Sequence, residues 1–277
     1  MNKKIRFGFS SCPNDTFIFY ALVNGKIDTY GIEFDFVVED VEDLNKKALG
    51  GEIDVTKISF NAYGKVADKY ILSNYGSALG KNNGPLIIAK DKINIADLPS
   101  KTVAIPGANT TANLLMSIAL PEVKNKREYL FSDIEDAILS GEVDAGLIIH
   151  ETRFTYHKKG LVKILDLGEW WETEYNLPLP LGGICISREF DRPVQMLLDK
   201  LIGDSVEYAF EHPEETMQFI KSYAQETSDK VIFSHIDLYV NEFTREIGSL
   251  GKKSVEFLLQ AGEKAGFFSN VPKDIFV

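Results

Sequence analysis

The side chains that could do chemistry fall in four short stretches, each just beyond an apolar run. His150 follows Val143-Asp144-Ala145-Gly146-Leu147-Ile148-Ile149, a run too short for an ordinary helix and carrying β-branched residues, which predicts a buried strand. Imidazole is the side chain whose unperturbed pKa lies nearest neutrality. At the carboxyl end of a strand, where open α/β sheets bind ligands, it is a candidate general base. Ser10, Asn14 and Asp15 lie in a loop of small polar groups before a helix, where unpaired N–H groups can meet a ligand; ordinary capping by Asn14 or Asp15 is the alternative. Lys57, Ile58 and Ser59 close another run. Lys57 can neutralise an anion there or form a structural ion pair. Asn109, Thr110 and Thr111 follow a glycine turn at Gly107, so hydroxyls and free N–H groups can converge on an anion or a carbonyl; Thr110 alone also suits an N-cap.

The elements that must position these groups follow from periodicity. Strands are predicted over 5–9, 32–38, 53–59, 86–89, 102–105, 143–149 and 184–187. Helices are predicted over 17–23, 40–50, from 60 onward, over 112–119, 132–139, 193–225, 231–243 and 254–265. Ser132 and Glu135 have capping-box spacing, and Glu211-His212-Pro213-Glu214 interrupts the long helix, leaving His212 a turn residue. His235 is read as a packing histidine and the C-terminal tail as scaffold. Trp170 and Trp171 form either an aromatic wall or core packing.

Alternating strands and helices predict an α/β fold, two α/β lobes with a ligand cleft between them. Composition breaks at Gly76–Pro85 and 177–183 mark two crossings. The expected division is a larger discontinuous lobe of 1–88 and 184–277 and a smaller lobe of 89–183, with hinges near 84–89 and 180–184.

The totals exclude several classes. Thirty Lys plus Arg against 41 Asp plus Glu give a net charge of −11 over 277 residues, and no basic run tracks a phosphate backbone, so nucleic acid is not an expected partner. Cys12 and Cys185 form no CxxC pair, and His150 and His157 fit no compact ligand spacing, so neither a disulfide framework nor a metal is expected. Cys12 is a weaker nucleophile candidate, with no histidine near it in sequence. Phe9-Ser10-Ser11-Cys12 has a faint lipoprotein-box pattern, but the apolar segment after Lys3 and Lys4 is short and broken by Arg6. No run approaches the roughly 20 apolar residues of a membrane span.

Several stretches match a known family together and in order. Residues 10–19 (SSCPNDTFIF), 54–59 (DVTKIS), 107–112 (GANTTA), 146–156 (GLIIHETRFTY) and 166–172 (DLGEWWE) resemble the 1,4-dihydroxy-6-naphthoate synthases of the futalosine route to menaquinone. Ser11 departs from the proline that many relatives carry. The resemblance runs nearly end to end and implies a type II periplasmic-binding-protein-like fold working in the cytoplasm. It implies a cofactor-free carbon–carbon lyase acting on an anionic, nucleoside-derived small molecule, cyclic dehypoxanthine futalosine. By the same resemblance His150 is the general base and Lys57, Ile58, Ser59, Thr110 and Thr111 contact substrate. Ser10, Asn14, Asp15, Asn109 and Arg153 are possible further contacts, and Asn14, Asp15, Glu151 and Arg153 are unranked candidates for orienting the base or the substrate. The competing readings are a solute-binding protein of the same fold without chemistry, and the chorismate dehydratase of the same pathway.

Overall fold

The computed structural model describes residues 4–150, 152–224 and 228–277. The chain begins with β1 (Ile5–Phe9), α1 (Pro13–Val23), β2 (Phe34–Val38), α2 (Val41–Gly50), β3 (Val55–Ser59), α3 (Phe60–Val66), β4 (Tyr70–Leu72) and β5 (Ala78–Gly80). It continues through β6 (Leu86–Ala89), β7 (Val103–Ile105), α4 (Thr111–Ala119), β8 (Lys126–Glu128), α5 (Ile134–Ser140), β9 (Ala145–Ile148), α6 (Thr152–Thr155), β10 (Val162–Asp166) and α7 (Leu167–Tyr175). The last part holds β11 (Leu179–Ser187), α8 (Arg192–Glu211), α9 (Pro213–Tyr223), α10 (Asp229–Tyr239), α11 (Glu242–Arg245) and α12 (Gly248–Lys264).

Two mixed sheets result. The first runs β2-β1-β3-β11-β4, with β5 also on β11; β1 is parallel to β2 and β3, and β11 is antiparallel to its neighbours. The second runs β10-β6-β9-β7-β8, with β7 parallel to β8 and β9 and β6 antiparallel to β9 and β10. Every residue of β3 and of β9 is buried, as expected of strands covered on both faces. Helix α5 lies directly on β9 because Gly146 has no side chain: a Cβ there falls 2.4 Å from Ile134 Cγ2.

The strand pairing moves the expected crossings. The boundary at 88 cuts β6, whose four residues all pair within the second sheet, and the return at 184 cuts β11, which belongs to the first. The chain therefore passes between sheets over 81–85 and 176–178. There a Cβ on Gly84 would lie 2.2 Å from the Gly168 backbone nitrogen, so the first crossing touches the start of α7 backbone to backbone.

Other differences are local. Helix α1 starts at Pro13, four residues earlier than expected, since proline's fixed φ and missing N–H suit a first turn. Its N-cap is Cys12 and carries no side-chain cap bond, so Asn14 and Asp15 are first-turn residues instead of caps. The Ser132/Glu135 capping box is absent: Ser132 donates to Asp133 Oδ1, and a 3₁₀ turn at Phe131–Asp133 leads into α5. Trp171 is fully buried against Tyr175 and Phe257 and is core, while the half-buried Trp170 packs on its edge.

The largest apolar cluster spans both sheets. Leu44, Ile58 and Leu79 of the first side pack in one body with Ile87, Val103 and Leu147 of the second, joined by Trp171 and Leu258. Among the described residues, no helix is long and apolar enough to cross a membrane.

Candidate active site

A cleft opens between the sheets. Ser10, Asn14, Asp15, Lys57, Ile58 and Ser59 line it from the first sheet's side. Thr110, Thr111 and His150 line it from the second's.

At the centre of the first side is a buried ion pair. Asp15, fully buried in the first turn of α1, accepts from Ser10 N at 3.1 Å and Ser10 Oγ at 2.7 Å on one oxygen. Its other oxygen accepts from Asn14 Nδ2 at 2.8 Å and Lys57 Nζ at 2.7 Å. Of the two sequence alternatives for Lys57, the structural pairing is what is seen; the same ammonium lines the cleft with further N–H donors. Removing one partner of such a buried pair costs about 3–5 kcal/mol. Ser59 is fixed by Asn45, whose Oδ1 accepts from Ser59 N at 2.9 Å and whose Nδ2 donates to Ser59 Oγ at 3.1 Å.

The threonines meet the cleft differently from expectation. Thr110 Oγ1 donates to Gly107 O at 2.8 Å and accepts from Asn113 N at 3.2 Å, so it is the N-cap of α4. Thr111 Oγ1 donates to Leu181 O on β11, tying the sheets together. What both residues bring to the cleft with their hydroxyls engaged is the positive end of α4, where Thr110, Thr111 and Ala112 line it.

Two expected contacts are fasteners. Asn109 donates from N and Nδ2 to Glu42 Oε1, the latter at 2.7 Å, and its Oδ1 accepts from Lys65 at 2.8 Å; it is not among the cleft-lining residues. Burial raises the Glu42 carboxyl pKa above the usual value, opposed by hydrogen bonds from Asn45 and Asn109. Arg153 pairs with Asp166 at 3.0 Å and donates to Gly84 O, bracing the first crossing. Glu151 lies outside the described residues.

His150 follows β9 in the left-handed region, φ +58°, a conformation that costs a non-glycine residue roughly 1–2 kcal/mol and concentrates at functional sites. Its ring is half-buried, edge-on to Phe131 at 4.9 Å. Nδ1 lies 3.2 Å from Cys12 Sγ, while Nε2 has no hydrogen-bond partner among the described residues. When Nδ1–H donates to sulfur, the Nε2 lone pair is left to accept a proton. Cys12, 138 positions away in sequence, is therefore the neighbour of this base. By contrast the fully buried Cys185 thiol is pushed far up by burial and is inert.

Among the cleft residues that sequence reasoning missed, two carry polar atoms without a hydrogen-bond partner among the described residues. His235 on α10, taken as packing, lines the cleft with its ring 6.3 Å from that of His150 at an interplanar angle of 20°. Burial first, then His150 and Lys57, hold its pKa well below the usual value, so it is neutral. Asn83 in the first crossing lines the same space. Away from the cleft, ligand atoms of His212, Glu214 and Glu215 lie within 4.8 Å of one another, with Glu215 already bound by Lys26 at 2.9 Å.

The model of a family described as "Menaquinone biosynthesis" matches residues 5–264. A 1,4-dihydroxy-6-naphthoate synthase of Thermus thermophilus is 43% identical over 273 residues, covering 99% of each chain. The enzyme of the same name from Streptomyces coelicolor is 37% identical over 267 residues, covering 95% of this chain and 94% of that one. A crystal structure of a protein from Archaeoglobus fulgidus superposes with a TM-score of 0.90 at 37% identity, covering 96% of this chain and 98% of that one. The alkanesulfonate-binding protein of Xanthomonas axonopodis pv. citri, 12% identical, superposes with a TM-score of 0.74 over 99% of this chain and 96% of its own; at that identity the likeness is one of fold, that of periplasmic binding proteins.

Proposed function

This chain belongs to the menaquinone-biosynthesis family of 1,4-dihydroxy-6-naphthoate synthases and is a lyase, and from that premise we propose that it cleaves cyclic dehypoxanthine futalosine with His150 as general base. The observation that carries the reading is the unpartnered Nε2 of His150 in a cleft that also holds Lys57, Ser59 and the start of α4. Nε2 takes a proton from the sugar-derived part of the substrate. The O–H electron pair becomes a carbonyl as the adjoining carbon–carbon bond breaks, and the released pair enters a carbocycle that becomes aromatic. Lys57 and the positive end of α4 bind the substrate's carboxylate and carbonyl oxygens. The Phe131 ring and the cleft walls limit water around the base. The reaction runs in the cytoplasm.

The test is turnover by purified protein. The wild type converts cyclic dehypoxanthine futalosine and leaves chorismate untouched. His150→Asn, whose carboxamide tolerates the left-handed backbone, still binds the substrate and loses about 10²- to 10⁴-fold in kcat. Undiminished kcat in that variant removes His150 from the role.

A further inference from the structure

The cleft holds more polar capacity than this reaction scheme uses. Among the described residues, eight buried side-chain nitrogen and oxygen atoms lack a hydrogen-bond partner. Five of them sit on three cleft-lining residues: Nε2 of His150, both ring nitrogens of His235 and both amide atoms of Asn83. His235 and Asn83 are each only 1% exposed. A buried polar group without a protein partner carries a desolvation penalty that a ligand's hydrogen bonds can offset. Their concentration at one place points to a ligand that completes them.

The chemistry of that ligand follows from what these groups offer. A neutral imidazole presents one donor and one acceptor, and a carboxamide presents two donors and an acceptor. Neither carries charge, whereas the cation of the cleft, Lys57, stands with Asp15. A carboxylate, which only accepts, leaves the imidazole acceptor and the amide oxygen unpaired. Hydroxyl groups donate and accept, and match both. The rings of His235 and His150 run nearly parallel, and Tyr239 holds His235 from its own helix at a ring distance of 4.6 Å.

We propose that His235 and Asn83 form a neutral subsite beside the base that binds the hydroxyls of a sugar-derived, polyhydroxylated part of the substrate. The assignment rests on the lyase reading above and adds what holds the reacting part of the molecule.

The experiment compares two probes in the His150→Asn background by titration calorimetry: cyclic dehypoxanthine futalosine, which carries the sugar-derived ring, and 1,4-dihydroxy-6-naphthoate, which lacks it. His235→Leu and Asn83→Ala each weaken the first about 10-fold, the scale of a lost buried hydrogen bond, and change the second less than about 3-fold. The unliganded His235→Leu protein melts no lower than its parent. His235→Gln, which restores a donor and an acceptor, recovers part of the loss. Equal weakening of both probes overturns the subsite, as does unchanged binding with a lowered melting point, which is the mark of packing alone. If His235→Leu fails to fold, the Asn83→Ala ratio decides in the same way. Absence of wild-type turnover removes the lyase reading and is seen independently of the ratio; absence of any binding of the first probe by the parent variant overturns the subsite as well.

Discussion

At the scale of single residues, the two imidazoles of the cleft divide by environment. His150 is half-buried beside Cys12, while His235 is held neutral by burial, with His150 and Lys57 facing it and Asp15 paired to that lysine. The unfolded chain binds a proton at position 235 once the pH falls below about 6.5, and the folded chain refuses it. Stability therefore falls as pH falls through this window, by up to about 1.4 kcal/mol per pH unit. His235→Leu removes that component, so denaturant midpoints of wild type and variant diverge between pH 7 and 5, the wild type falling faster; parallel curves would mean that His235 is not held neutral. His150 was legible in sequence because a polar residue capping a short apolar run stands out. Cys12 and His235 were not, since one contact spans 138 positions and the other residue sits on an amphipathic helix where packing is the ordinary fate of a histidine. Arg153, a possible contact by sequence, is held elsewhere: the turn of α6 sends its guanidinium to Asp166 and Gly84.

Among the elements, β1, β2, β3, β6, β7 and β9 were readable to within about two residues, whereas the short or edge strands β4, β5, β8 and β10 were not anticipated and β11 was read short at its proline-containing start. Leu177-Pro178-Leu179-Pro180 has the composition of a crossing, because proline seldom sits within a sheet. Pro180 is nevertheless inside β11, opposite Leu79 where the register with β5 shifts, so its missing N–H falls at an irregularity. Helix starts also escaped where the cap is made by backbone and proline, as at α1. The tightest junction of elements is the meeting of the first crossing with α7. In Gly84→Ala the new methyl group meets Gly168 N at 2.2 Å and Gly168 Cα at 2.3 Å, backbone atoms that cannot rotate away. Overpacking of this kind costs about 1–3 kcal/mol or more. Since Asn83 and Pro85 line the cleft on either side of Gly84, the substitution lowers the denaturation midpoint and raises KM together. A variant with both values unchanged contradicts the close approach.

For the molecule as a whole, two crossings by themselves predict a hinge, whereas the packing joins the sheets. One apolar cluster runs through both, and Glu42–Asn109 and Thr111–Leu181 fasten its edge. An interface that apolar resists independent motion. Heat or denaturant therefore unfolds the chain in one transition, with calorimetric and van't Hoff enthalpies equal, and product at about 100 times its Kd raises stability by about 2.7 kcal/mol without splitting the transition. Two separated transitions would show the sheets to be independent. The α/β class and two-lobed plan were legible in the alternation of runs; the shared core was not, because it is made by faces whose partners are far apart in the chain. The position of β11 has a bearing on synthesis. It lies between β3 and β4, yet well over a hundred residues separate it from β3, roughly ten seconds of translation at cellular rates. Throughout that interval the nascent chain carries an unfinished sheet edge with its hydrogen-bonding groups unclaimed, a template for pairing with a neighbouring chain until β11 arrives.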